Sequence, residues 1–502
     1  MKKILTLLLA LWMLTGCVAM AAENQLVVGS TTAMSGAFFT DLFGSNTADM
    51  DVRALLHGYN LMSWDHETGT YQINDSVVAG MAVSKDAQNN RVYTFDLYGD
   101  LKFSDGSAIT AKDYAFSILL TASPELAKLG GQSAAAGAIL GMESYQSGKS
   151  SVLRGVRLLS DTQMSITISK AYEPYFYEMA LFDYSPYPIS VLAPGCKVVD
   201  TEKGVGIVNA SGTGDAIFTA DLLQKTILDA ATGYMSHPSV VSGPYTLTSY
   251  DAQRGTASFA INPYYKGNED GEKPSIKTIV YRSVANDEAI DLLLSGEVDL
   301  LNKMVAADTV SKGIQSIADQ PFSVANYPRS GLSMISFSCE RQTVSSKAVR
   351  QAIARCFDRD ALVKAYTGNF GLKANGYFGI GQWMYQLTAG TIQPPVADLP
   401  ANATAKETAA YEKTVAQWDA LSLDKLKDYP LDLDQAAKLL DQDGWRLGKD
   451  GLRAKKIDGK TVALDLTLIY PEGNAVGDAL NATLTENLAS IGVRLTVKAV
   501  PM

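Results

Sequence analysis

Residues 276–301, IKTIVYRSVANDEAIDLLLSGEVDLL, decide the reading of this chain. Ile276 to Arg282 is apolar and β-branched, the composition of a strand. Asp287 to Leu294 has the length and acidic start of a helix, and Gly296 ends it. Val298 to Leu301 is a second strand. Strand, helix and strand in close succession predict an α/β unit with a parallel sheet. Working outward, Gln25 to Gly29 is a short apolar run closed by glycine and reads as a buried strand. Ser30 to Asp49 is a loop, and Val52 to Leu61 is a helix or turn leading to Trp64.

The region between them is more varied. Arg91 to Tyr98 alternates Tyr93, Phe95 and Leu97 with polar residues, a half-buried strand. Ser104-Asp-Gly106 is a turn, after which Thr110 caps a helix whose first turn carries Asp113, an acid suited to the helix dipole. Gln163 to Ser169 is another strand. Lys197 to Ser242 is polar and glycine-rich, read as a surface excursion around one helix near Ala220 to Ala230. Tyr245 to Tyr250 is a strand. Beyond residue 301, Ser345 or Ser346 caps a helix with Val349, Ile353 and Cys356 on one face. Asp358 restarts a helix that ends at Gly368. Asp434 to Leu440 is a helix, Leu464 to Ile469 a strand, and Gly473 to Ser490 a helix with Val476, Leu480, Leu484 and Leu488 one turn apart.

With 502 residues the chain exceeds one ordinary core, so two or three domains are expected. An apolar fraction of 47% is that of a globular protein. A net charge of −10 without any basic block makes the chain a poor nucleic-acid binder, and none is expected as a partner. Enzyme chemistry finds no motif. His57, His66 and His237 are the only histidines, and His66-Glu67 lacks the second histidine of a zinc protease helix. The nucleophile elbow Gly-x-Ser-x-Gly does not occur. Gly141 to Ser150 has the wrong spacing for a phosphate loop and reads as a helix end and turn. No metal site and no cofactor is expected. The three cysteines after Cys17 lack zinc or redox spacing and form one disulfide at most, or buried free thiols. Cys356 is assigned to core packing, as are Trp64, Trp445 and Tyr245.

The amino terminus carries an export signal, assigned to residues 1–21. Lys2 and Lys3 precede the uncharged run Ile4 to Leu14, too short for a membrane span that needs about 20 residues. Leu14-Thr15-Gly16-Cys17 resembles the lipobox of bacterial lipoproteins, which implies acylation of Cys17. Ala19-Met20-Ala21 offers ordinary cleavage as the alternative.

Several segments together resemble the dipeptide/oligopeptide-binding family, the family 5 extracytoplasmic solute-binding proteins. They are Leu61-Met-Ser-Trp-Asp65, Tyr93-Thr-Phe-Asp-Leu97, Phe103-Ser-Asp-Gly106 through Tyr114, Ser242-Gly-Pro-Tyr245, Asn262-Pro-Tyr-Tyr265 and Ser295-Gly-Glu-Val-Asp-Leu300. Val349-Arg-Gln-Ala-Ile353, Ala436 to Leu440, Asp443-Gly-Trp445 and Ile491-Gly-Val-Arg-Leu495 continue the order. The resemblance implies an α/β, two-lobed periplasmic-binding-protein type II clamshell. Lobe I is expected over 22–280, with a subdomain at about 65–190, and lobe II over 281–502, with an insertion at about 385–430. The second lobe reads as incomplete, since the family continues past an Ile-Gly-Val strand.

By the same resemblance the chain is the extracytoplasmic, non-enzymatic binding component of an ABC importer, a monomer tethered to the membrane by its lipid. It captures a peptide and works with permease and ATPase subunits. Other solutes of the family (nickel chelates, haem) and a secreted hydrolase are the alternatives. Ligand contacts are placed on the loop Thr31, Thr32, Met34 and Ser35, at a strand's carboxyl end where α/β sheets bind ligands. Arg329 and Ser330 join them, since an arginine holds a carboxylate with two hydrogen bonds. An ordinary turn and a solvated arginine are the alternatives there.

Overall fold

The computed structural model describes residues 24–500 apart from 45, 66–69, 133–136, 174, 176, 318–319, 328–330, 369, 393–398 and 473–475. The chain divides into two compact units. One comprises the residues up to Ser63 together with Gln72–Lys303, the other Trp64–Tyr71 and the residues from Met304 onward.

Strand Gln25–Ser30 is interior to the five-stranded sheet of the first unit. It pairs in parallel with Thr278–Ser283 on one side and Leu300–Asn302 on the other. Thr256–Ile261 adds to Thr278–Ser283 antiparallel, and Tyr245–Asp251 closes the far edge as a hairpin partner. The strand, helix and strand read from residues 276–301 are present, with the helix at Ala289–Leu294. Both strands bond directly to Gln25–Ser30, so the compact unit extends to Lys303 rather than ending inside that ladder. Val28, Phe38, Val52, Leu56, Phe259, Ile279 and Tyr281 form the core of this sheet and its helix.

That helix spans Thr47–Leu56 and starts five residues before the expected Val52. Asn46 sets the start. Its side chain accepts from Asp49 N at 3.0 Å, while the Asp49 carboxylate accepts from Asn46 N at 3.3 Å, a reciprocal cap.

The short motifs scattered along the sequence meet each other in space. Asn262 Nδ2 donates to Gly243 O at 2.8 Å, joining Asn262-Pro-Tyr-Tyr to Ser242-Gly-Pro-Tyr. Ser242 Oγ donates to Gly58 O at 3.0 Å and accepts from Gly58 N at 3.1 Å. Ser104 N donates to Val241 O at 2.8 Å, and Ser104 Oγ accepts from Val241 N at 3.0 Å. Tyr114 Oη donates to Tyr59 O at 2.8 Å. Each of these pairs satisfies buried backbone groups that no sheet or helix reaches. Gly243 has no room for a side chain, because a Cβ there would lie 2.5 Å from Leu56 C.

A four-stranded antiparallel sheet, Val78–Lys85, Arg91–Leu97, Gln163–Ile168 and Val156–Leu158, belongs to the same unit. Helix Ala111–Thr121 packs near it with most of its residues buried. The region 197–242 is not only surface excursion. It begins with a hairpin, Cys196–Thr201 and Gly204–Asn209, whose Val198 and Val205 are buried, and only then reaches helix Ala220–Thr226.

In the second unit, helices Lys347–Cys356 and Leu433–Gln442 pack together over the parallel strand pair Asp465–Pro471 and Arg494–Val500. Val349, Ile353, Cys356, Leu440, Trp445, Leu484 and Leu488 form its core. Helical residues Val476–Ser490 are wound as a π-helix over Asn481–Thr485. A strict four-residue apolar repeat drifts around an α-helix of 3.6 residues per turn. The wider π winding offsets that drift, which keeps Leu480, Leu484 and Leu488 buried together. Thr483 O accepts from Asp358 N at 3.1 Å and from Asn487 Nδ2 at 3.3 Å, so it retains partners outside a regular ladder. Arg453 is buried. Its guanidinium donates to Ile491 O at 2.6 Å, Trp445 O at 2.8 Å and Asp441 Oδ1 at 2.6 Å.

Helix Ala405–Asp419, in the expected insertion, buries no residue, and Trp418 touches Trp383 edge-on. Cys196, Cys339 and Cys356 are free thiols. Among the described residues no helix is long and apolar enough to cross a membrane. The signal segment and Cys17 lie outside the described residues.

Candidate functional site at the sheet's carboxyl edge

The three parallel strands of the first unit end at Ser30, Ser283 and Asn302. Open α/β sheets bind ligands at such carboxyl ends, where loops leave the sheet and backbone groups are not consumed by the ladder. The loop leaving Gln25–Ser30 is tightly held. Ser30 Oγ donates to Thr32 O at 3.1 Å and accepts from Thr32 N at 3.2 Å. Asn46 Nδ2 donates to Ala33 O at 2.8 Å. Asp49, fully buried, accepts from Ser35 N at 2.9 Å, Ser35 Oγ at 2.6 Å and Gly36 N at 3.2 Å. A buried carboxylate needs such a set of donors, and in return it fixes the loop from which they come.

The residues expected to contact ligand are therefore placed unequally. Thr31 and Thr32 are partly buried, and no described hydrogen bond uses the Thr31 side chain. Met34 packs in the core of the five-stranded sheet. Ser35 is exposed, but its hydroxyl and amide are both committed to Asp49. Arg329 and Ser330 lie outside the described residues. Nearby Tyr327 is exposed.

A second group, absent from the sequence reading, gathers on Asp51 of helix Thr47–Leu56. Its carboxylate accepts from Tyr281 Oη at 2.9 Å and Asn302 Nδ2 at 2.8 Å, and pairs with Lys303 Nζ. Burial, with smaller contributions from its neighbours, pushes the Tyr281 phenol well above its ordinary range, so it acts as a donor at any physiological pH. The Asn46-x-x-Asp49 spacing is a capping signal that sequence reasoning passed over. Asp51 and Lys303 are 252 residues apart, and no local pattern joins them.

This arrangement presents a loop held by Asp49 and a cluster of hydrogen-bonding groups on Asp51. Among the described residues no three His, Cys, Asp or Glu side chains converge as metal ligands.

Residues 76–502 match the family described as bacterial extracellular solute-binding proteins, family 5. The chain belongs to that family. It is 26% identical over 434 residues to the oligopeptide-binding protein OppA of Lactococcus lactis strain IL1403, covering 84% of this chain and 59% of that protein. The match thus spans 59% of the length of the lactococcal OppA relatives and 48% of that of the Escherichia coli OppA. Among solved structures, lactococcal OppA, complexed with an endogenous peptide, superposes with a TM-score of 0.65 at 19% identity, covering 95% of this chain and 77% of that one. NikZ from Campylobacter jejuni, in complex with Ni(L-His), does so with a TM-score of 0.60 at 16% identity, covering 96% and 74%. The fold is accordingly that of the two-lobed periplasmic binding proteins.

Proposed function

We propose that this protein is the extracytoplasmic binding component of an ABC importer, that it captures short peptides, and that it delivers them to permease and ATPase subunits without chemical turnover. The observation that carries the reading is the family match over residues 76–502, joined by relatives named as oligopeptide-binding proteins. Thr31 and Thr32 of the carboxyl-edge loop supply ligand contacts in this reading. Peptides of varied sequence are held through their shared main chain, and a loop fixed by a buried Asp49 meets them without an ordering cost. Acylated Cys17 tethers the protein outside the cytoplasm, where it acts as a monomer.

The test is titration calorimetry of the mature protein with di- to pentapeptides, alongside nickel chelates, with mass spectrometry of the recovered ligand. Saturable binding of intact peptide supports the reading. Peptide cleavage, or binding of the chelates with no response to any peptide, overturns it.

A further inference from the structure

The first compact unit contains a cavity of about 260 Å³ to which the reading above gives no role. None of Thr31–Ser35 lines it. Leu42, Ile139 and Leu181 make its apolar wall, and Asp41, Asp183, Tyr184 and Tyr187 bring polar groups to it.

A chain of hydrogen bonds fixes Asp183. Ser117 Oγ donates to Ser185 O at 2.7 Å, Ser185 Oγ donates to Asn60 Oδ1 at 2.8 Å, and Asn60 Nδ2 donates to Asp183 Oδ1 at 2.6 Å. Asp183 Oδ2 has no partner among the described residues, nor do the hydroxyls of Tyr184 and Tyr187 or the carboxylate of Asp41. Arg53 is the nearby cation, and it donates to Ala37 O at 2.8 Å. The cavity thus holds two carboxylates that form no ion pair with any described cation. Burial raises the Asp183 carboxyl above the ordinary carboxylate range, with the Asn60 hydrogen bond opposing, as expected of an anion short of counter-charge.

We propose that this cavity binds a primary alkyl-ammonium group, its head on Asp183 and Asp41 among the phenols of Tyr184 and Tyr187, its methylenes along Leu42 and Ile139. The three donors of an ammonium suit acceptors arriving from separate directions. A guanidinium is disfavoured, because its planar fork seeks both oxygens of one carboxylate and Asn60 already occupies one. A volume below that of drug-sized pockets fits one such group rather than a whole peptide. The ammonium comes from a free alkyl diamine or from a lysyl side chain. This inference stands apart from the peptide-capture reading.

The experiment is low-salt calorimetry of the mature full-length protein with 1,4-diaminobutane, with Nα-acetyl-lysine methylamide, and with butanol and the norleucine analogue as neutral controls. Saturable binding of either amine, absent for its neutral counterpart, is expected, and the amine that binds names the source. Asp183→Asn weakens it about tenfold or more, the scale of one charge-assisted contact, and Tyr187→Phe weakens it less. Asp41→Asn, at an exposed residue, serves where Asp183→Asn fails to fold. Absence of saturable binding of both amines, or affinity unchanged in Asp41→Asn and in folded Asp183→Asn, overturns the proposal. Trialanine titrated into the same samples reports peptide capture separately.

Discussion

Replacing His57 with Gln removes most of the acid sensitivity of the first unit's helix Thr47–Leu56. The imidazole stands among Phe39, Tyr187 and Tyr234, and its Nε2 lies 2.9 Å from Phe38 O. A carbonyl only accepts, so Nε2 carries the proton and the neutral ring is the native form. Burial lowers its pKa from 6.5 to about 4, with the Phe38 carbonyl opposing and the charge of Arg53 reinforcing. Above pH 6.5 the ring is neutral in both native and unfolded chains, and stability is independent of it. Below 6.5 only the unfolded chain takes the proton, so stability falls with pH until the native ring also protonates near 4. The linkage amounts to about 2 kcal/mol between pH 7 and 5, and about 3 kcal/mol by pH 4.

Asp113, which burial raises to about 6, acts in the opposite direction, since its native form gains a proton first as pH falls. It is present in both proteins and cancels in their difference. The tryptophans among the described residues, Trp64, Trp383, Trp418 and Trp445, all belong to the second unit, so their fluorescence does not report on His57. Native-state hydrogen exchange of residues 47–56 between pH 7 and 4.5, corrected for intrinsic rates, is the assay. A pH-dependent loss of protection equal in His57→Gln and the parent refutes the assignment.

Three further outcomes are expected. Asp49→Ala strips the acceptor from Ser35 N, Ser35 Oγ and Gly36 N. It costs about 2–4 kcal/mol in urea denaturation followed by circular dichroism, and it weakens peptide binding in the same samples. Gly243→Ala drives a Cβ to 2.5 Å from Leu56 C and 2.6 Å from Leu55 O, both backbone atoms. It destabilises the first unit by more than about 2 kcal/mol, read as a lowered thermal midpoint. Arg453→Met leaves Ile491 O and Trp445 O without their donor, costing the second unit about 2–4 kcal/mol. Trp445 fluorescence during urea unfolding registers that change, and an unaltered midpoint refutes it.

The sequence carried the α/β class because period and punctuation are local properties. Strand Thr278–Ser283, helix Ala289–Leu294 and strand Leu300–Asn302 all follow from side chains within a few residues of one another. Capping residues were equally local: Ser346, Asp358 and Gly368 sit where their chemistry placed them. The order of short motifs brought in the family, and it did so before the motifs had any physical meaning.

Tertiary structure supplied that meaning. Asn262 and Gly243 bond across 19 residues, and Ser242 and Gly58 across 184, to satisfy backbone groups that neither segment satisfies alone. The insertion of Gln25–Ser30 between two later strands, which carries the first compact unit to Lys303, depends on pairing energy across roughly 250 residues. Met34 shows the same division. Its position in a strand-end loop was plain in the sequence, whereas the direction of its side chain, into the core, depended on packing. Asp51, Lys303 and the cavity around Asp183 belong wholly to the tertiary level. Asp51 lies 230 residues or more from Tyr281, Asn302 and Lys303, a separation that leaves no periodic trace, and only the folded chain brings these groups within a hydrogen bond of one another.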